Sequence, residues 1–306
     1  MKKIILSIII MFSVMQENGL LSQNTDNNVV TFALGSFDIT ILSEGKQTRK
    51  ADNLIGLTTE ILQKYVPEGT YDMAVNAFLV RTFEQNILVD AGMGINLLKN
   101  LETLRLTPEQ IDIVLITHMH GDHVGGLMKD GKVVFPNADI YISQPEYDYW
   151  TSDAVMNQMP ENQRGSFVQA RNVIKAYKNK LHLFAPVELG STTSNLFSGF
   201  QGVAAFGHTP GHTGYMIESD NNRMFIWADL AHAMSIQMPC PEIAINFDVN
   251  PEQAVVTRKN VLEYLAKNKI PIAGMHVVSP GMGTVSKSKI EKEGYAFEPY
   301  CFCLSL

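Results

Sequence analysis

The chain has 306 residues, of which 45% are hydrophobic and 18% charged, a balance that suits a folded globular protein able to bury a sizeable core. Its net charge of −7 has no basic run behind it, which argues against a nucleic-acid partner. Three cysteines, Cys240, Cys301 and Cys303, leave at least one thiol unpaired within the chain.

The N-terminus opens with "MKKIILSIIIMFSVM": two lysines, then an apolar stretch from Ile4 to Met15 broken only by serines. That run is short for a membrane-spanning helix and laid out like a secretory signal, with cleavage expected near Ser22 and Gln23. The expected organisation is a signal peptide over 1–22 and one domain over 23–306. The mature protein is then expected in a periplasm or outside the cell, with no stable membrane insertion. Losing Lys2, Lys3 and Glu17, a net +1, takes the charge from −7 to −8. Export would permit a disulfide between Cys240 and Cys301 or Cys303, which sequence cannot decide. The ending "CLSL" formally resembles a prenylation box, but an exported chain would not meet the cytosolic enzyme that reads it.

"VVTFALGSFDITILSEG" predicts two strands around Gly35-Ser36, and "VNAFLVRTFEQNILVDAG" two more around Glu84-Gln85. Residues 44–73 between them read as a mixed, polar insertion with one helical turn over Thr58 to Tyr65, a candidate pocket wall. "INLLKNLETL" suits a helix, and "TPEQ" at 107–110 starts another, with Thr107 as cap and Gln110 reaching back. "IDIVLI" reads as a fully buried strand running into the histidines discussed below. "ADIYIS" predicts a strand, and 161–180 a helix with Phe167, Ala170, Ile174 and Tyr177 on one face. Strands follow at "LHLF", "GVAAF", "GYMIES" and "RMFIWAD", then a helix from Pro251 capped by Asn250 and carrying Val255, Leu262 and Leu265. "IPIAGMH" reads as a last buried strand. With no repeat or linker, the simplest account is one α/β domain with sheets inside and helices outside.

"ITHMHGDHVGG", residues 116–126, places three of the eight histidines and an aspartate within six positions. In an extended segment His118 and His120 point the same way and can grip one cation. Asp122 and His123, around the turn at Gly121, can face a second. This donor set suits zinc, with iron or manganese as alternatives. Four local ligands do not close two sites, so the rest should come from other strand ends. "FGHTPGHTGY" offers His208 and His212, "WADLAH" offers Asp229 and His232, and "AGMH" offers His276. His182 is left as an ordinary strand histidine.

With these motifs the sequence resembles the metallo-β-lactamase superfamily from about residue 30 onward, on "HMHGDH" answered by His212, Asp229 and His276. Within that group it is similar to the methyl parathion hydrolase and acyl-homoserine lactonase branch, on "PEIAINFDVNPEQA" and "GMHVVSPGMG". The resemblance implies an αββα four-layer sandwich with the site at one edge between two sheets. It implies two divalent metal ions, foremost Zn2+: His118, His120 and His212 on the first, Asp122, His123 and His276 on the second, and Asp229 bridging. It favours His212 over His208, which becomes an outer partner, and it gives Asp90 a supporting place behind the site. The bridging Asp229 is usually lacking in β-lactamases proper, and flavo-diiron proteins carry a glutamate where this chain has His120. His232 stands where well-known lactonases have tyrosine.

The expected activity is hydrolysis of a hydrophobic ester, lactone or phosphotriester by hydroxide held between the two metals. Asp122 or His232 is the candidate proton donor to the leaving group. Tyr147, Tyr149, Trp150 and Phe247 are candidate substrate-pocket residues, with packing of the core as the competing reading of the aromatics. The partner is then a small-molecule substrate, and a homodimer is compatible with the sequence. The alternatives are a mononuclear-iron sulfur dioxygenase of the same superfamily and a non-catalytic zinc-binding protein.

Overall fold

The computed structural model describes residues 28–193 and 196–300. The expected signal peptide, Cys301 and Cys303 lie outside the described residues. Seven strands form the first sheet in chain order: β1 (Val29–Leu34), β2 (Phe37–Lys50), β3 (Thr70–Arg81), β4 (Asn86–Val89), β5 (Ile113–Leu115), β6 (Asp139–Ser143) and β7 (Leu181–Phe184). The first four pair antiparallel, and β4 to β7 pair parallel. Six more form a second sheet, also in chain order: β8 (Phe200–Ala204), β9 (Thr213–Ser219), β10 (Asn222–Ile226), β11 (Ile272–Ala273), β12 (Met282–Lys287) and β13 (Tyr295–Pro299).

Period-two alternation explains why the strands read as nearly continuous apolar runs, since both faces of each sheet are covered. On β3, Phe78 and Val80 face the space between the sheets, where they meet Tyr215, Ile217 and Ile226 of the second sheet. Ala77 and Leu79 face the other way, toward helix α2 (Leu97–Thr103), α4 (Gln144–Thr151) and α6 (Arg164–Ala176), whose Leu101, Trp150, Phe167 and Ala170 share that core. Behind the second sheet, Phe225 and Trp227 pack on Val261, Leu262 and Leu265 of α8 (Pro251–Asn268). The layers therefore run helices, sheet, sheet, helix: the αββα sandwich.

Three local expectations differ from what forms. The 44–73 insertion shrinks to 51–69, because β2 continues through Lys50 and pairs with β3 after a bulge between Ser43 and Lys46. "TPEQ" closes only one 3-10 turn, Pro108–Gln110, although Gln110 does accept a hydrogen bond from the Thr107 N–H at 2.9 Å. "IPIAGMH" supplies just two strand residues and is not the last strand, since β12 and β13 extend the sheet beyond it. A short helix α1 (Thr59–Tyr65) spans the expected helical turn, and Leu54, Val66, Tyr71 and Met73 pack there with Ile236, Ile243 and Ile245 as a fourth small core.

Candidate metal centre

β5 ends at Leu115, and the extended segment Thr117–His120 leads into the one-turn helix α3 (Gly121–Val124). This change of backbone geometry turns His118 and His120 toward one point, and Asp122 and His123 toward another. Gly126 closes the turn: a Cβ there would lie 2.1 Å from the Ala91 carbonyl oxygen, so only glycine lets the loop approach β4's exit.

The distant ligands arrive on loops beyond the second sheet. Asp229 follows β10 after Ala228, whose φ of 54° is a left-handed conformation uncommon for a residue with a Cβ. His276 follows β11, and its segment pairs with β3: Ala74 N–H donates to the His276 carbonyl at 3.2 Å, while His276 Nδ1 donates to the Ala74 carbonyl at 2.8 Å. Asn76 supports the same segment through the carbonyls of Gly274 and Val277.

Three overlapping ligand groups result: His118, His120, His208 and Asp229; Asp122, His123 and His276; and Asp229, His232 and His276. In the first, His120 Nδ1 lies 3.0 Å from both His118 Nε2 and His208 Nε2, and Asp229 Oδ2 lies 3.2 Å from His208 Nε2 and 3.6 Å from His118 Nε2. Four ligands around zinc at its usual bond lengths stand about 3.3 Å apart, which is this spacing. In the second, His123 Nε2 is 3.8 Å from Asp122 Oδ1 and His276 Nε2 is 3.7 Å from Asp122 Oδ2. Asp229 turns Oδ1 to His123 Nε2 at 3.1 Å and Oδ2 to His276 Nε2 at 3.0 Å.

The donor set fits metal ions. His123 Nε2 and Asp229 Oδ1 are buried and face each other without a hydrogen bond, as two donors to one cation would. Charge points the same way. Burial alone would raise the Asp229 carboxyl, yet the imidazoles of His123, His276 and His118 hold it well below its usual range. Burial likewise opposes charge on His208, but hydrogen bonds to Asp229 and Asp248 outweigh it and raise its pKa to about 9. Burial, with His208 beside it, lowers His120 to about 3. The carboxylates thus favour positive charge on the imidazoles around them.

The donor atoms of His118, His120, His208 and Asp229 lie within 4.8 Å of one another, and His212 stands against the backbone of the same aspartate. His212 has no free nitrogen: Nδ1 donates to the Ala205 carbonyl at 2.7 Å, and Nε2 accepts the backbone N–H of Asp229 at 3.0 Å. Both histidines of the loop therefore reach Asp229, His208 at its carboxylate and His212 at its backbone.

Outer hydrogen bonds fix the remaining rings. Asp90, fully buried with φ 59°, holds Thr117 through its N–H at 2.8 Å and its hydroxyl at 2.7 Å, and accepts from His123 Nδ1 at 2.6 Å. Asp248 accepts from His208 Nδ1 at 2.8 Å and from the Ile245 N–H at 3.1 Å. Such partners set the tautomer and strengthen the ligand. Glu146, wholly buried at the start of α4, links the two loops of the first group. Asp248, Glu146, Thr117 and Asn76 were not expected from sequence. Asp248 lies in "NFDVNPEQA", and Glu146 in "SQPE", an ordinary helix start that gives no sign of a buried charge.

His232 sits beside the centre, with Nε2 3.1 Å from Asp229 Oδ2, its ring stacked on His276 at 4.4 Å, and no partner on the buried Nδ1. The pocket candidates separate. Trp150 is 3% exposed and Tyr149 packs on it and on Phe167, with Tyr147 against the same helix-side core. These three cover the outer face of the first sheet, although Trp150 also meets His120 edge-on at 5.7 Å. Phe247 is 49% exposed and lies 6.1 Å from His232, an open apolar face next to the ligands. His182 stacks on Tyr141 away from the centre. A cleft of about 880 Å³ between α3 and α6 is lined by Val124, Met128, Gln169 and Val173, and by none of the ligands.

The sequence profile described as the metallo-beta-lactamase superfamily matches residues 70–265. The chain belongs to that superfamily, among its metal-dependent hydrolases. Two solved structures align over 90% of this chain and 98% of their own. One is hydrolase AbOPH of the beta lactamase superfamily, with 29% identity and TM-score 0.80. The other is AidC, a dizinc quorum-quenching lactonase bound to the product N-hexanoyl-L-homoserine, with 30% identity and TM-score 0.79. Curated relatives match only in part. Anti-Pycsar protein Apyc1 of Paenibacillus sp. (strain J14) is 47% identical over 58 residues, which are 17% of this chain and 24% of that protein. The atrochrysone carboxyl ACP thioesterase of Aspergillus fumigatus is 33% identical over 89 residues, 28% and 20% of the two chains.

Proposed function

We propose that the protein is a dinuclear metal-dependent hydrolase that opens a small hydrophobic ester or lactone. The observation carrying this reading is the pair of ligand groups joined by one aspartate: His118, His120 and His208 on one side, Asp122, His123 and His276 on the other, with Asp229 between them. Zinc is the ion that these nitrogen and carboxylate donors suit best. Two such ions supply Lewis acidity, making a water nucleophilic near neutral pH and polarising the oxygen of the group attacked.

The chain's own residues do the rest. Asp229, with both oxygens turned inward, fixes the spacing of the two ligand groups. The side chain of Asp122 is 33% exposed, the most open among the carboxylates of the cluster, and stands where a proton can pass between the centre and the leaving group. In hydrolysis the water gives one proton to Asp122 or His232 as its oxygen bonds to the acyl carbon, the ester C–O bond breaks, and the same group passes that proton to the leaving alkoxide. Phe247 offers an apolar surface beside His232 for the substrate's hydrocarbon part. The likeness to AidC over nearly the whole of both chains supports a lactone, and AbOPH supports the wider range of hydrolysable esters. We also infer export, from the two lysines and the apolar run of residues 4–15.

The test is proton release by the zinc-loaded protein against N-acyl homoserine lactones, aryl esters and a phosphotriester in parallel, with metal content measured on the same sample. Two zinc ions per chain and lactone opening faster than the other hydrolyses bear the reading out. One iron per chain, with no hydrolysis of any of the three, would replace it by an oxygenase.

A further inference from the structure

Glu146 has both carboxylate oxygens taken up by donors from the protein, and these donors include groups from two separate loops of the first ligand group. Oε1 accepts the Met119 N–H at 2.9 Å and the Trp150 indole N–H at 2.5 Å. Oε2 accepts the Thr209 hydroxyl at 2.6 Å and the Gly211 N–H at 3.0 Å. Met119 lies between His118 and His120, and Thr209 directly follows His208. These are the three histidines of the first ligand group, and they come from loops 88 residues apart in sequence at His120 and His208. The loop contact is also close at the backbone, since a Cβ on Gly211 would stand 2.1 Å from the Glu146 nitrogen.

The second group has no bond to Glu146. His123 is held by Asp90, and His276 by Ala74 of β3. We infer that Glu146 is a positioning residue for the first metal site alone, the joint through which the His118–His120 and His208 loops keep a common centre. It is not a ligand, because four donors already occupy its oxygens. The inference rests on the two-ion reading above.

Chemistry makes the joint specific to a carboxylate. The Met119, Trp150 and Gly211 groups are N–H donors that cannot accept, and only the Thr209 hydroxyl can reverse. In Glu146→Gln the new amide nitrogen must face at least one obligate donor in either orientation. The orientation that spoils fewest bonds turns it to Thr209 and Gly211, which loosens the His208 loop. A buried donor left unpaired also favours displacement of the loop over its present place.

The experiment is zinc content per chain after dialysis against a fixed chelator concentration, together with zinc titration calorimetry, for full-length Glu146→Gln, His208→Ala, His276→Ala and the double variants. Thr209→Val, which removes one bond without adding a donor, provides a second route should Glu146→Gln fold poorly. Wild type is expected to hold two zinc ions and Glu146→Gln one. Glu146→Gln combined with His208→Ala should still hold one, and combined with His276→Ala none. Thr209→Val should weaken only one of the two binding events in calorimetry, by about 10–100-fold, as loss of an outer partner does. Glu146→Gln holding two ions at wild-type affinity overturns the inference, as does equal weakening of both events or further loss in the His208 double variant. Should wild type itself hold one ion, the two-ion reading fails first, so the two failures are told apart.

Discussion

The choice between His208 and His212 as the third histidine of the first group gives the sharpest prediction, because the two residues lie four apart in one loop and spacing alone does not separate them. His212→Ala removes no ligand in this arrangement. It strands the Ala205 carbonyl and the Asp229 N–H, two buried backbone groups now paired at 2.7 and 3.0 Å. Each unpaired buried group costs about 1–3 kcal/mol, so the metal-free protein should lose about 2–6 kcal/mol of stability. His208→Ala acts on the metal instead. It deletes one of four donors of the first group, which should weaken that site by more than the about 10–100-fold that loss of an outer partner costs. The assay is urea unfolding of metal-free protein, with zinc stoichiometry measured separately on folded samples. His212→Ala should unfold at clearly lower urea and still bind two ions, whereas His208→Ala should keep one. If His212→Ala loses an ion while His208→Ala binds two, the assignment of the first group is wrong.

Further outcomes are expected elsewhere. Asp229→Ala takes a carboxylate from both ligand groups at once, so both zinc affinities should fall in calorimetry, and a variant that keeps two tight ions would refute the bridging role. Gly211→Ala drives a Cβ against the Glu146 backbone, which cannot yield as a side-chain tip would; a Tm lowered by several degrees is expected. Arg258, 1% exposed, donates to the carbonyls of Leu230, Pro241 and Ile243 at 2.6 to 3.0 Å. Arg258→Met strands the Leu230 and Pro241 carbonyls, while Ile243 keeps the Gln237 amide, and should cost about 2 kcal/mol or more in urea unfolding, with a wild-type midpoint as the contrary result. Burial, with Glu242 and Glu291 nearby, raises the Cys240 thiol to about 11. Its reactive thiolate therefore appears only as pH rises toward that value. In a Cys301→Ser, Cys303→Ser background, iodoacetamide should leave folded protein unmodified at pH 8 and label it once urea exposes the thiol.

Local chemistry made a large part of this protein legible. The alternation in "VNAFLV" and "IDIVLI" fixed strands with two buried faces, and covering both faces of two sheets leaves little but a layered sandwich. The His118, His120, Asp122 and His123 cluster was legible because all four side chains come from one extended segment and its turn, whose geometry depends on near neighbours. Asp229 and His276 were legible as polar residues ending apolar strands.

Tertiary structure decided what depends on approach between distant segments. His208 and His212 carry the same imidazole in the same loop, and only packing gives them different partners: Ala205 and the Asp229 N–H meet His212, while Asp248 turns His208 toward His120. Trp150 and Tyr149 could line a pocket or cover a sheet, and the bare outer face of β5 and β6 took them into the core. Glu146 shows no feature in "SQPE", because a buried carboxylate is recognisable only by the donors folded around it, two from its own side of the site and two from a loop more than sixty residues away. Sequence determines which groups a segment can offer; the packed fold determines which of them remain free to bind.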